Sequence, residues 1–416
     1  MSSTLGAASG SPVSEGFAAR ALAQCEALPP RTLASPWWKS LPIDFAHEPE
    51  PFALRAVEQA QVGTAAASDV VLRTLGSCLV GALALPLGFH PLALWRALGR
   101  KDAPAQAVAG GDPARFHRAP ERLVPIERRP ATRPLFSPDD GACEDLRFES
   151  PYVPYFDDGR ADYLSHAKNR VAHARHWRHR KGPRSTVLAI HGFSADLYHF
   201  NEWFFAIPWL YRAGYDVLLF TLPFHGARQT RFSPFSGHGF FAGGTTRINE
   251  AFGQAICDLR LFLGDLLAEG APEVGVTGMS LGGLTTSLFA SVEPRLAFAI
   301  PNVPVVSLAD LVMEWEPIAS YLRAAMRAAG RDVRIARELL APSSPLSFAP
   351  KIPRERLFLI GGVGDRLAPP RHARLLWEHW GRPRLHWFPG SHVIHLDRGE
   401  YFRAMRGFFA DIGFKP

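Results

Sequence analysis

The pattern of apolar and polar positions divides this chain of 416 residues into a front part without a regular period and a longer part that has one. Residues 146–155 and 171–179 alternate as half-buried strands do, with Val171, His173, Arg175, Trp177 and His179 on one face. Largely apolar runs follow at 185–190, 215–221, 273–277, 296–300, 357–361 and 384–388, the pattern of strands buried on both faces. Helical stretches fall between or after them, at about 246–269, 284–290 and 401–412. Strands alternating with helices over roughly 230 residues predict an α/β fold with a mostly parallel central sheet covered by helices.

The front part reads differently. Residues 1 to about 68 mix prolines, tryptophans and short helical patterns, and the first twenty lack the basic and apolar stretches of a signal peptide. A mobile tail is expected there. Residues 74–95 carry no charge and are bounded by Arg73 on one side and Arg96, Arg100 and Lys101 on the other. These 22 residues would suffice for one membrane span, but Pro86, Gly88, His90 and Pro91 break the run into two short helices. The run is expected either to pack on the protein's own core or to make peripheral membrane contact. From 101 to about 138 the composition turns to Pro, Arg, Gly and Ala, as in an extended linker. The expected organisation is therefore an accessory region, 1–140, followed by the sheet-bearing domain, 141–416.

Composition narrows the function classes. A hydrophobic content of 47% supports a large core, and 20% charged residues exclude a disordered polyelectrolyte. The net charge of +7 is thinly spread; the locally basic run 170–184 is expected to be a solvated strand face, with a docking surface for anionic lipid or nucleic acid as the alternative, and no nucleic-acid motif accompanies it. Cys25, Cys78, Cys143 and Cys257 lie far apart without a C-x-x-C pair, which fits a reducing, cytoplasmic compartment better than a disulfide framework or zinc site. His166, His173, His176 and His179 invite a metal reading, but alternation sets His176 apart from His173 and His179, and no acidic ligand is interleaved. Neither a metal nor a cofactor is expected.

The chemistry gathers at Gly278-Met279-Ser280-Leu281-Gly282, a G-x-S-x-G pentapeptide between a short β-branched run and a helix. Strand, sharp turn with serine at its apex, then helix is the order of a nucleophile elbow. A serine on so strained a turn needs neighbours without a Cβ at Gly278 and Gly282, or strand and helix collide.

Further stations follow in a fixed order: His191-Gly192 after one strand, Pro223-Phe224-His225-Gly226 after the next, the elbow, Gly364-Asp365, and Gly390-Ser391-His392. In this order and over about residues 146–416 the chain resembles the α/β-hydrolase superfamily, esterase- or lipase-like in character. The resemblance implies a triad in the chain order Ser…Asp…His: Ser280 as nucleophile, Asp365 as orienting acid and His392 as base. Asp310 is the rival acid and His395 the rival base. By the same resemblance the oxyanion hole uses the backbone N–H groups of Phe193 and Leu281, and His191 and His225 pin loops. Thr221 stands where many relatives carry Asp and Phe224 where they carry Gly, which leaves the subfamily open.

The family places a cap at about 302–350, where Leu311, Met313, Trp315, Ile318, Tyr321 and Leu322 read either as an apolar lid or as ordinary cap packing. Phe232, Phe235, Phe240 and Phe241 should border the same mouth. The expected activity is hydrolysis of a carboxylic ester by a serine hydrolase, with a small, apolar acyl or lipid-like ester as substrate and no nucleic-acid partner. An acyltransferase using the same triad and a non-catalytic binding protein of this fold are the alternatives.

Overall fold

The computed structural model describes residues 12–84 and 102–416. Within them, nine strands form one sheet in the order β1-β2-β3-β5-β4-β6-β7-β8-β9. The strands are β1 (Glu127–Pro130), β2 (Gly141–Glu149), β3 (Val171–His179), β4 (Thr186–Ile190), β5 (Asp216–Thr221), β6 (Val274–Met279), β7 (Ala299–Asn302), β8 (Phe358–Gly362) and β9 (Arg384–Phe388). The three at the β1 edge run antiparallel to their neighbours, and β5 to β9 are parallel.

Burial explains the arrangement. Every residue of β4 to β8 is buried, as apolar parallel strands sandwiched between helices must be. Alternate residues feed two cores. Leu188, Ile190, Leu218, Phe220, Val274 and Val276 join the face covered by the helices Gly244–Ala268 and Leu281–Val292. Val187, Ala189, Val217 and Leu219 join the face covered by Ile207–Arg212 and Arg398–Asp411.

Several sequence expectations are adjusted. The sheet begins at Glu127, ahead of the expected boundary near 140, because β1 pairs with β2 as an exposed, charged edge strand that composition alone reads as linker. β2 stops at Glu149 rather than 155, since Pro151 and Pro154 supply no N–H to a ladder. The basic run is only partly solvated: Arg175 is buried, bonded through Nε to Asp145 at 2.7 Å and stacked on Tyr198, while Arg178 pairs with Glu144 across the strands. His179 is bound to Asp216 at 2.8 Å. All four cysteines are free.

Described residues before 127 pack into the sheet's own core: Phe17, Cys25, Trp37, Leu41 and Phe45 share one cluster with Ile190 and Val276. A single helix, Ala56–Ala84, runs through residues 74–84, where a separate short helix was expected; residues 85–95 lie outside those described. It buries Val62, Ala65, Ala66, Asp69 and Ser77 and turns Val71, Leu72, Leu75 and Leu79 outward. Among the described residues no helix is long and apolar enough to cross a membrane.

Candidate active site

β6 lies between β4 and β7, so its C-terminal end opens at the middle of the sheet's parallel region. Ser280 follows it directly, with φ 57° and ψ −114°, and the helix Leu281–Val292 starts at the next residue. A non-glycine residue at positive φ is strained and persists only where its surroundings impose it. They do so here. A Cβ on Gly278 would stand 2.3 Å from the Gly282 carbonyl oxygen, and one on Gly282 would stand 2.1 Å from that of Ile190. Strand, turn and helix touch backbone to backbone, and the Ser280 N–H is tied to the Asn302 carbonyl at 3.0 Å. Ser280 itself is partly exposed while its helix is buried throughout.

Asp365 stands three residues beyond β8 and His392 four beyond β9, and these adjacent parallel strands bring them together. His392 Nδ1 donates to Asp365 Oδ2 at 2.6 Å, and both side chains are buried. The other carboxylate oxygen accepts from the N–H groups of Leu367, at 2.9 Å, and Ala368, at 2.7 Å. Nδ1–H to the carboxylate leaves Nε2 as the free, basic nitrogen, the tautomer a general base needs. Burial alone would lower the affinity of His392 for a proton; the charge of Asp365, the bond to it and the charge of Asp69 outweigh burial, and the imidazole is raised above its ordinary value. Burial pushes the Asp365 carboxyl up, opposed chiefly by His392. Among the described residues no hydrogen bond joins Ser280 to His392. Catalytic contacts of this kind are often long until substrate is bound.

The rivals are otherwise engaged. Asp310 forms a buried ion pair with Arg337 at 2.6 Å and accepts from Ser307 Oγ. The ring of His395 lies 4.1 Å from that of Phe388, and burial pushes it down to about 3. His191 donates from Nδ1 to the Gly192 carbonyl and accepts the Leu222 N–H at Nε2, so it pins two loops. Leu281 is the first residue of its helix, and helix geometry leaves its N–H without an intrahelical acceptor. Phe193 follows Gly192, whose Cβ position faces the Cβ of Ser280 at 3.5 Å.

Aromatic rings crowd this place. Phe193 packs edge-on against Phe235 and Phe241 at 6.1 and 5.1 Å between centroids, and Phe240 is fully buried beneath. Phe232, by contrast, is 84% exposed. The apolar residues of the cap are mostly explained by packing. Met313 is buried with Ala46, Met326 and Leu339, Leu322 packs against that cluster, and the Trp315 carbonyl accepts from Ser77 of the Ala56–Ala84 helix. A cleft of about 370 Å³ beside this junction is lined by His47, Arg73, Met313, Glu314, Glu316 and Arg323.

One participant escaped the sequence reading. Asp69 of the Ala56–Ala84 helix is fully buried, and its Oδ2 accepts from the N–H of Arg366 at 3.0 Å and from the N–H of His392 at 2.7 Å. The signal was present: Asp69 continues the face of Val62, Ala65 and Ala66, as a lone acid where helical spacing predicts core.

No family model matches the chain. An uncharacterized protein of Mycobacterium tuberculosis, matched in two strains, is 31% identical over 261 residues, and the match spans 59% of this chain and 59% of that relative. Among solved structures, acetyl xylan esterase 1 from a Thermoanaerobacterium species matches with a TM-score of 0.51 at 17% identity, covering 75% of this chain and 92% of its own. An acetyl xylan esterase from a Paenibacillus species matches with a TM-score of 0.52 at 15% identity, covering 75% and 93%. The chain has the α/β-hydrolase fold.

Proposed function

We propose that the protein is a serine hydrolase that cleaves a carboxylic ester with an apolar acyl group. The observation that carries this reading is the 2.6 Å bond from His392 Nδ1 to a buried Asp365, on the loops beyond two strands adjacent in the same sheet as the strained Ser280. In this mechanism Ser280 Oγ attacks the acyl carbonyl carbon while His392 Nε2 takes its proton. Asp365 stabilises the imidazolium, and the N–H groups of Phe193 and Leu281 hold the oxyanion. The tetrahedral intermediate collapses as the imidazolium hands its proton to the departing alkoxide. Water, deprotonated by the same imidazole, then attacks the acyl-enzyme, and the second tetrahedral intermediate collapses to the acid as the imidazolium returns its proton to Ser280 Oγ. The rings of Phe193, Phe235 and Phe241 support an apolar acyl group.

Labelling by a fluorophosphonate tests the reading without knowledge of the substrate. The wild type is expected to label, Ser280→Ala to lose labelling, and His392→Ala to label at least about 100-fold more slowly. A folded wild type that does not label, or a Ser280→Ala protein that still does, overturns it.

A further inference from the structure

Three backbone groups and one packing contact join the helix Ala56–Ala84 to the loops that carry the acid and the base. Asp69 Oδ2 takes the N–H of Arg366, the residue after Asp365, and the N–H of His392 itself. Arg73, one turn further along, donates to the Arg366 carbonyl at 3.0 Å. The helix lies so close that a Cβ on Gly364 would stand 2.5 Å from Cγ1 of Val62. A single carboxylate oxygen thus bridges two loops whose relative placement sets the Asp365–His392 bond.

The other oxygen presents the puzzle. Asp69 Oδ1 is buried and, among the described residues, has no hydrogen-bond partner. An unpartnered, buried carboxylate oxygen costs stability, and one that persists asks for a reason. Tying two N–H groups alone does not supply it, since a neutral amide oxygen would do the same. A negative charge placed beside an imidazole that must become positive during each reaction does.

We propose that Asp69 is a positioning residue of the hydrolytic site: it clamps the Asp365 and His392 loops together and stabilises the imidazolium formed when His392 accepts the serine proton. This rests on the serine-hydrolase reading above. The groups that act on His392 are Asp365 from the loop after β8, Asp69 from the helix, and His395 from its own loop, which burial keeps neutral near neutral pH. Removing the charge of Asp69 therefore lowers the pH at which His392 loses its proton. Because the neutral imidazole is the base, the acid limb of the reaction moves to lower pH.

The experiment uses the full chain and follows the rate of phosphonylation by a fluorophosphonate against pH in the wild type, Asp69→Asn and Asp69→Ala. Asparagine keeps the size and an oxygen for both N–H groups but removes the charge; alanine removes the clamp as well. The midpoint in Asp69→Asn is expected to fall by at least about half a pH unit, and the plateau rate in Asp69→Ala to fall about 10- to 100-fold. An NMR titration of the His392 imidazole gives the same midpoint without any reaction, and thermal melts report whether each variant is folded. If the alanine variant does not fold, Asp69→Asn carries the test alone. An unmoved midpoint in a folded Asp69→Asn protein overturns the proposal, even where Asp69→Ala is slow, because Asp69 is then only packing. A wild type that does not label overturns the hydrolase reading and this role with it, whereas a labelled wild type with an unshifted variant overturns this role alone.

Discussion

At the level of single residues, what the sequence reveals is what local sterics demand. Gly278 and Gly282 were readable because the turn between them leaves no room for a Cβ, and the structure places backbone oxygens within 2.3 Å of both positions. The pairing of Asp365 with His392 was readable from chain order, since adjacent strands of a parallel sheet end at the same edge. Asp69 was not, because a helix pattern says which face is buried and not what lies against it. If Asp365 is the orienting acid, Asp365→Asn should lower kcat/KM by about 10,000-fold, since a carboxamide favours the wrong imidazole tautomer. The labelling rate of a folded Asp365→Asn protein checks this, and a loss below tenfold would move the acid's role elsewhere.

At the level of elements, β3 and β9 fall at their expected residues, and the other expected strands shift by a few, because period and β-branching mark them directly. β1 was missed for the opposite reason, as its pairing with β2 is written in charges such as Glu127 with Arg147 rather than in apolar positions. The cap shows a third case. Its apolar residues were visible, but their purpose depends on the N-terminal region, which binds the cap through Arg337: the guanidinium holds Asp310 and reaches the carbonyls of Leu41 and Pro42 at 2.6 and 2.7 Å. Breaking a buried pair by removing one partner strands the other, so Arg337→Met should cost about 3–5 kcal/mol in urea unfolding. Arg337→Met combined with Asp310→Leu should recover part of that. A single variant within 1 kcal/mol of wild type would show that the tie carries little.

At the level of the whole molecule, described residues of the accessory region share a core with the sheet, Phe17, Trp37 and Phe45 lying in the same cluster as residues of the central strands. Composition marks a change of character near residue 140 but says nothing of what the segments before it pack against, and described residues on both sides of that point contribute to one cluster. Ser280 is one of seven non-glycine residues at positive φ among those described. A serine held in this conformation costs thermal resistance, and replacing it with a residue that adopts the conformation freely should return it. Ser280→Gly, which occupies the same conformation without strain, is expected to be inert and yet to melt above the wild type, by the equivalent of about 1–3 kcal/mol. Scanning calorimetry of the pair would decide it, and an equal or lower melting temperature would mean that the elbow stores no strain. For anyone seeking a hardier version of this protein, the elbow is then a place where a gain in robustness is expected to cost the proposed activity.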